Sequence, residues 1–199
     1  MSAAGEEEHV PRDERRRRSE QAILCAAREL FAETGYERTT IRAVASRCGV
    51  DPALVMQYYG NKEGLFAEAA RWGHESQTVL RAAREDVPAA ALDDLFEKLE
   101  GESSDREGAV ALLRNCLTHP EAARIMRDEV MCDRVIGVAR AIGGADAELR
   151  AGLLGACMMG LMMSRHLIEF EPVASASRAD IERLFTPVLR ALVDPPAAP

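Results

Sequence analysis

Between residues 35 and 61 the chain carries a helix-stopping or helix-starting signal every few residues. Gly35 ends one apolar-periodic stretch. Thr39 or Thr40 opens the next and Gly49 closes it. Asp51-Pro52 opens a third, Gly60 breaks it, and Asn61 opens a fourth. Glycine accepts the backbone conformation that ends helices. Asp, Asn and Thr accept hydrogen bonds from the free N–H groups of a first turn, and Pro suits the first helical position. Helices this short are not stable alone in water, so they must pack on one another. The apolar positions follow helical spacing in each: Ile23, Leu24, Ala27, Leu30 and Phe31; Ile41, Val44, Ala45 and Cys48; Val55 and Tyr59; then Leu65, Phe66, Ala69, Ala70 and Trp72. The pattern predicts three short helices feeding a fourth, longer one that runs to about Arg84. Helices two and three, joined around Gly49, match the helix-turn-helix arrangement, whose second helix enters the DNA major groove; a corner of a plain helical bundle fits the same spacing.

Beyond Arg84 the chain stays helical in pattern. Apolar residues recur through Leu92–Leu99, Val110–Leu117, Ile125–Ile136 on an expected helix from Glu121 to Ile142, residues 146–170 and Ile181–Val193, with loops at "GESSD", His119-Pro120, "GGAD" and "EPVAS". No strand pattern and no repeat is present. The expected fold is all-α with about nine helices: a disordered arm over 1–17, a DNA-binding domain over 18–64, a larger helical domain over 65–194, and a tail over 195–199. Ser19 is the expected cap of the first helix.

Charge is unevenly spread. The chain carries −8 overall, yet residues 12–62 hold ten Lys and Arg against seven Asp and Glu. That segment is therefore +3 on a body of −11, the sign a polyanion partner requires. No apolar run approaches the roughly 20 residues of a membrane span, and the N-terminus lacks the apolar core of a secretion signal. The five cysteines, none in a CxxC pair, read as reduced thiols of a cytoplasmic protein. The four histidines lie far apart and form no metal motif, and no P-loop, GxGxxG or GxSxG occurs. These absences argue against an enzyme, a metal site or a cofactor.

The stretch "AILCAARELFAETGYERTTIRAVASRCGVDPALVMQYYGNKEGLFAEA" resembles the DNA-binding domain of the TetR family of bacterial transcriptional regulators, through "AARELFAETGYERTTIRAVA", "GVDPALV" and "YYGNKEGLF". "ALLRNCLTHPEAARIMRD" and "GLMMSRHLIEFEP" resemble an actinobacterial type of C-terminal domain, more weakly. The resemblance implies an all-α homodimer that binds a palindromic double-stranded operator as a repressor and is released by a small apolar effector. It implies phosphate contacts from Thr40, Tyr58 and Lys62, and a phosphate or base contact from Arg42. Pro52, Ala53, Met56 and Gln57 match the groove-facing positions; Gln57 can pair with adenine, and Ala53 or Met56 can touch a thymine methyl. Met56 departs from the Tyr often found there, and Asp51 from the commoner Ser. Lys62 is odd by local rules, because a helix N-terminus disfavours a cation. A phosphate partner would give it a role. Arg15–Arg18 offer further charge or a solvated tail. The resemblance also implies that residues 146–170 and 177–193 form an intersubunit four-helix bundle, with Gly155, Gly160, Leu161, Ile181, Leu184 and Val188 in the interface. Trp72, Met126, Met158 and Met162 are the candidate lining of an effector pocket; packing as plain core is the alternative for the methionines. A helical dimerisation protein that no longer binds DNA is the competing function.

Overall fold

The computed structural model describes residues 12–71, 77–100 and 103–195. Helix α1 spans Arg12–Arg38, α2 Ile41–Cys48, α3 Pro52–Tyr59 and α4 Lys62–Arg71. Then follow α5 (Gln77–Arg81), α6 (Val87–Glu100), α7 (Ser103–Thr118), α8 (Pro120–Ile125), α9 (Cys132–Ile142), α10 (Ala147–His166) and α11 (Arg178–Val193). Among the described residues there is no strand.

The short helices are capped as their sequence dictates. Thr40 accepts the Ala43 N–H at 3.1 Å, Asp51 accepts that of Ala53 at 2.7 Å, and Asn61 accepts that of Gly64 at 2.8 Å. Gly49 closes α2 in the left-handed region at φ 69°. Gly35 interrupts α1 at φ 79°, ψ 166°, a conformation that costs a residue with a Cβ dearly. Phe31, Tyr36 and Phe66 form the centre of the first core, with Val44, Ala45, Val55 and Leu65 around them. The second core lies among α6, α9, α10 and α11, around Leu92, Phe96, Ile142, Leu154 and Leu189.

Four expectations are corrected. The fourth helix, expected to run to about Arg84, does not: α4 spans Lys62–Arg71, a separate α5 spans Gln77–Arg81, and residues 82 and 83 are not helical. The arm over 1–17 is not irregular in its described part: α1 begins at Arg12, and Ser19 lies inside it, donating to the Arg15 carbonyl at 3.0 Å. Asp13 and Glu14 sit in the first turn, where the helix dipole favours acids, and the Glu14–Arg18 and Arg16–Glu20 pairs brace successive turns. The penultimate helix stops at His166 rather than 170, because Arg165 reaches the Val173 and Ala176 carbonyls and Ile168 N–H bonds back to Met163. The rod expected from Glu121 to Ile142 contains a widened π-helical turn, Met126–Met131. An i→i+5 turn brings residues five apart toward one face, and both Met126 and Met131 line the same cavity.

Candidate nucleic-acid interface and effector cavity

The recognition surface starts from α3. Val55 is fully buried and anchors the helix on the first core. Pro52, Ala53 and Gln57 are exposed on the opposite side, together with Met56 at 47% exposure. An exposed thioether of that size, beside an amide and a methyl, is a surface of groove-reading chemistry without charge. Thr40 and Arg42 are exposed at the start of α2, and Arg42 makes no ion pair among the described residues. Arg47, also on α2, points away: it bonds both oxygens of Glu33 at 2.9 and 2.7 Å and reaches Glu29 at 3.2 Å, tying α2 to α1. That pairing holds the Glu33 carboxyl below the usual carboxylate range.

Tyr58 is half-buried with the Arg16 guanidinium 5.5 Å from its ring centre. Tyr59 is half-buried too, and its hydroxyl donates to the Glu20 carbonyl at 3.3 Å. Burial pushes its phenol up to about 12.

Lys62, the expected phosphate contact at a helix start, also has partners within its own chain. Its Nζ donates to the Tyr36 carbonyl at 3.1 Å and the Glu37 carbonyl at 3.3 Å, and stands 4.4 Å from the Tyr36 ring centre. It crosses from the start of α4 to the end of α1, where the dipole is negative and free carbonyls need donors. The misfit with its own helix is offset by the neighbouring one. Two of its three N–H donors are engaged there, leaving one for a phosphate.

The second feature is a cavity of about 130 Å³ between the two cores. Met126, Met158 and Met162 line it, and Met131 and Met159 join them. Trp72 lies outside the described residues. Ala69 and Ala70 close one wall from α4, so a single helix joins the cavity to Lys62. The wall is not wholly apolar. Asp94, only 3% exposed, pairs with Arg134 at 2.9 Å, and Arg28 reaches in from α1 while donating to the Ala69 carbonyl at 3.3 Å. Sequence reading missed these three because each lies on a different helix. It also missed Asn115. This buried amide accepts the Tyr36 N–H at 2.6 Å and donates to the Phe31 and Ala111 carbonyls at 2.9 Å, binding α7 to the break in α1.

The expected dimer residues do not share one surface. Ile181 is buried in its own subunit's second core, and Leu161 packs against that core. A Cβ on Gly155 would lie 3.9 Å from the Met131 methyl, and Gly155 lines the cavity. Gly160 has open space above it, Leu184 is 64% exposed, and Val188 is exposed. Leu149 and Leu153, not foreseen, are exposed on α10. Amphipathic α11 therefore turns Ile181 and Leu189 inward and Leu184 and Val188 outward, a division that periodicity marks but does not orient.

Comparison with known proteins decides the family. Residues 85–193 match the model of the tetracyclin repressor-like C-terminal domain, and residues 23–69 match that of the tetR family of bacterial regulatory proteins. The chain belongs to the TetR family. It is 30% identical to a TetR-family regulator of Streptomyces coelicolor, SCO0857, covering 92% of this chain and 99% of that one at a TM-score of 0.56. It shares the fold of NalD of Pseudomonas aeruginosa at 22% identity and a TM-score of 0.66, over 92% of this chain and 99% of NalD. The transcriptional repressor AcnR of Corynebacterium efficiens is 32% identical over 103 residues, which are 52% of this chain and 43% of AcnR. The chain thus spans less than half the length of that relative. Among the described residues no helix is long and apolar enough to cross a membrane, and no three His, Cys, Asp or Glu side chains gather as a metal site.

Proposed function

We propose that this TetR-family protein is a cytoplasmic repressor that binds a palindromic operator as a homodimer and leaves it when a small, mostly apolar effector enters the cavity. The observation that carries the reading is the face of α3. Ala53, Met56 and Gln57 stand exposed behind a buried Val55, on a helix whose ends are capped by Asp51 and Gly60. Thr40, Arg42, Tyr58 and the remaining N–H of Lys62 flank it as phosphate contacts. AcnR is named a repressor, which supports that sign of regulation. The cavity supports an effector: its methionines adapt to a ligand, and α4 links its wall to the carbonyl end of α1. An effector that binds one dimer geometry better shifts the population toward it and moves the two α3 helices off half-sites one helical turn apart. The dimer face is built from Gly160, Leu184 and Val188 with Leu149 and Leu153, apolar and uncovered in one subunit.

The test is Gln57→Ala. Operator affinity should fall by roughly 1–3 kcal/mol, with relaxed preference at one base pair in each half-site. An equal loss on random duplex would make Gln57 a positioning residue and remove the readout.

A further inference from the structure

An acidic protein that binds DNA must concentrate its few available cations where the phosphates run. The surface of α2, α3 and the start of α4 offers few. No Lys or Arg lies on α3, Arg47 is held by Glu33 and Glu29, and Lys62 is engaged with two carbonyls, which leaves Arg42 at the start of α2 exposed and without an ion pair among the described residues. The missing charge stands on the first two turns of α1, where Arg12–Arg18 are all exposed. We propose that Arg12 and Arg15 form a phosphate-binding face on α1 that grips the DNA backbone beside the segment read by α3. The inference rests on the DNA-binding reading above and extends it to a surface outside the helix-turn-helix.

Register and contacts argue for this. Arg12, Arg15 and Arg16 fall within about 100° of one another around the helix. Their face is the N-terminal continuation of the one that buries Ile23, Ala27 and Leu30. Arg16 locates it: the guanidinium bonds Glu20 at 2.8 Å and stands 5.5 Å from the ring centre of Tyr58, near the C-terminal end of α3. The Tyr59 hydroxyl fixes the same corner by bonding the Glu20 carbonyl. Arg16 is thereby both neutralised and tethered. Arg12 and Arg15 make no ion pair among the described residues, and they share the face of α1 on which Arg16 meets Tyr58. The opposite face carries Glu14, Arg17 and Arg18, and the Glu14–Arg18 pair lies there at 2.6 Å. A solvated basic run would show no such asymmetry in function. Phosphate contacts carry charge but no sequence information, so this face adds affinity on any duplex.

The experiment compares wild type, Arg12→Gln/Arg15→Gln and Arg17→Gln on a random-sequence duplex of about 30 base pairs, by fluorescence anisotropy across a sodium chloride series. Glutamine keeps the helical propensity of arginine, and far-ultraviolet circular dichroism checks the fold. The plot of log affinity against log salt should flatten in the double variant by about 0.9 for each arginine and each bound subunit, with Arg17→Gln indistinguishable from wild type. A double variant with the wild-type slope, or an Arg17→Gln slope that falls per residue as much, overturns the proposed face while leaving the helix-turn-helix reading intact. A wild type with no salt-dependent duplex binding overturns both.

Discussion

Around Phe31, Tyr36 and Phe66 the packing is aromatic and closed, with ring centroids 5.0 and 6.0 Å apart and Phe31 and Phe66 fully buried. Around Met158 and Met162 it is aliphatic and leaves a cavity of about 130 Å³. Aromatic rings have few rotamers and specific edge-to-face geometry, so they hold neighbouring helices in one arrangement. Methionines have three rotatable bonds and fill space in many arrangements. On the proposed function, the difference follows what each region must do. A helix that reads a groove must present its side chains at fixed positions, whereas a pocket wall must yield to what enters it. Asn115 ties α7, whose Ala109, Leu112 and Leu113 line the cavity, to Phe31 and Tyr36.

The comparison predicts unequal costs for equivalent truncations. Phe66→Ala should destabilise by about 3–5 kcal/mol, because its closed surroundings cannot collapse on the hole. Met158→Ala, at the edge of an existing cavity, should stay near the low end for its class, about 2 kcal/mol. Urea unfolding of both variants measures the gap; equal costs would mean the two cores are equally rigid.

Asn115→Ala tests the tie between them. It removes the acceptor for the buried Tyr36 N–H and two donors to carbonyls, a loss of about 1–3 kcal/mol. Because the tie crosses between regions, hydrogen exchange should rise at Tyr36 and along α7 together. Exchange that rises on one side alone would show that the two regions open independently.

The smallest effect at neutral pH, and a selective one in alkali, concerns the tyrosines of the first core. Burial pushes both Tyr36 and Tyr59 up to about 12, from an ordinary 10. A raised folded value favours the neutral phenol. The stability it reflects is complete below pH 10 and is lost as pH climbs from there through about 12. Tyrosinate absorbance followed with circular dichroism should show the first core loosening in that window. Titration of Tyr36 and Tyr59 at pH 10 with no structural change would contradict the burial.

Much of the DNA-binding unit was legible because its signals are local. Thr40, Gly49, Asp51, Pro52, Gly60 and Asn61 act within a few residues of themselves, and each ends or starts a helix where its chemistry says. The start of α1 was not legible in the same way. A run of four arginines reads as unfolded charge until the acids four residues away are seen as helical partners. The cavity's methionines were visible as an unusual cluster, but the Asp94–Arg134 pair was not, since one residue is on α6 and the other on α9.

By itself the sequence determined the helical class, the punctuation of α2 and α3, and the identity of the side chains that α3 can offer, because capping and periodicity are decided between neighbours along the chain. Tertiary structure decided direction. It turned Ile181 inward and Leu184 outward on one amphipathic helix, aimed Arg47 at Glu33 instead of outward, and gave Lys62 the carbonyls of Tyr36 and Glu37. A helix pattern states which residues share a face; only the packing of other helices states what that face meets.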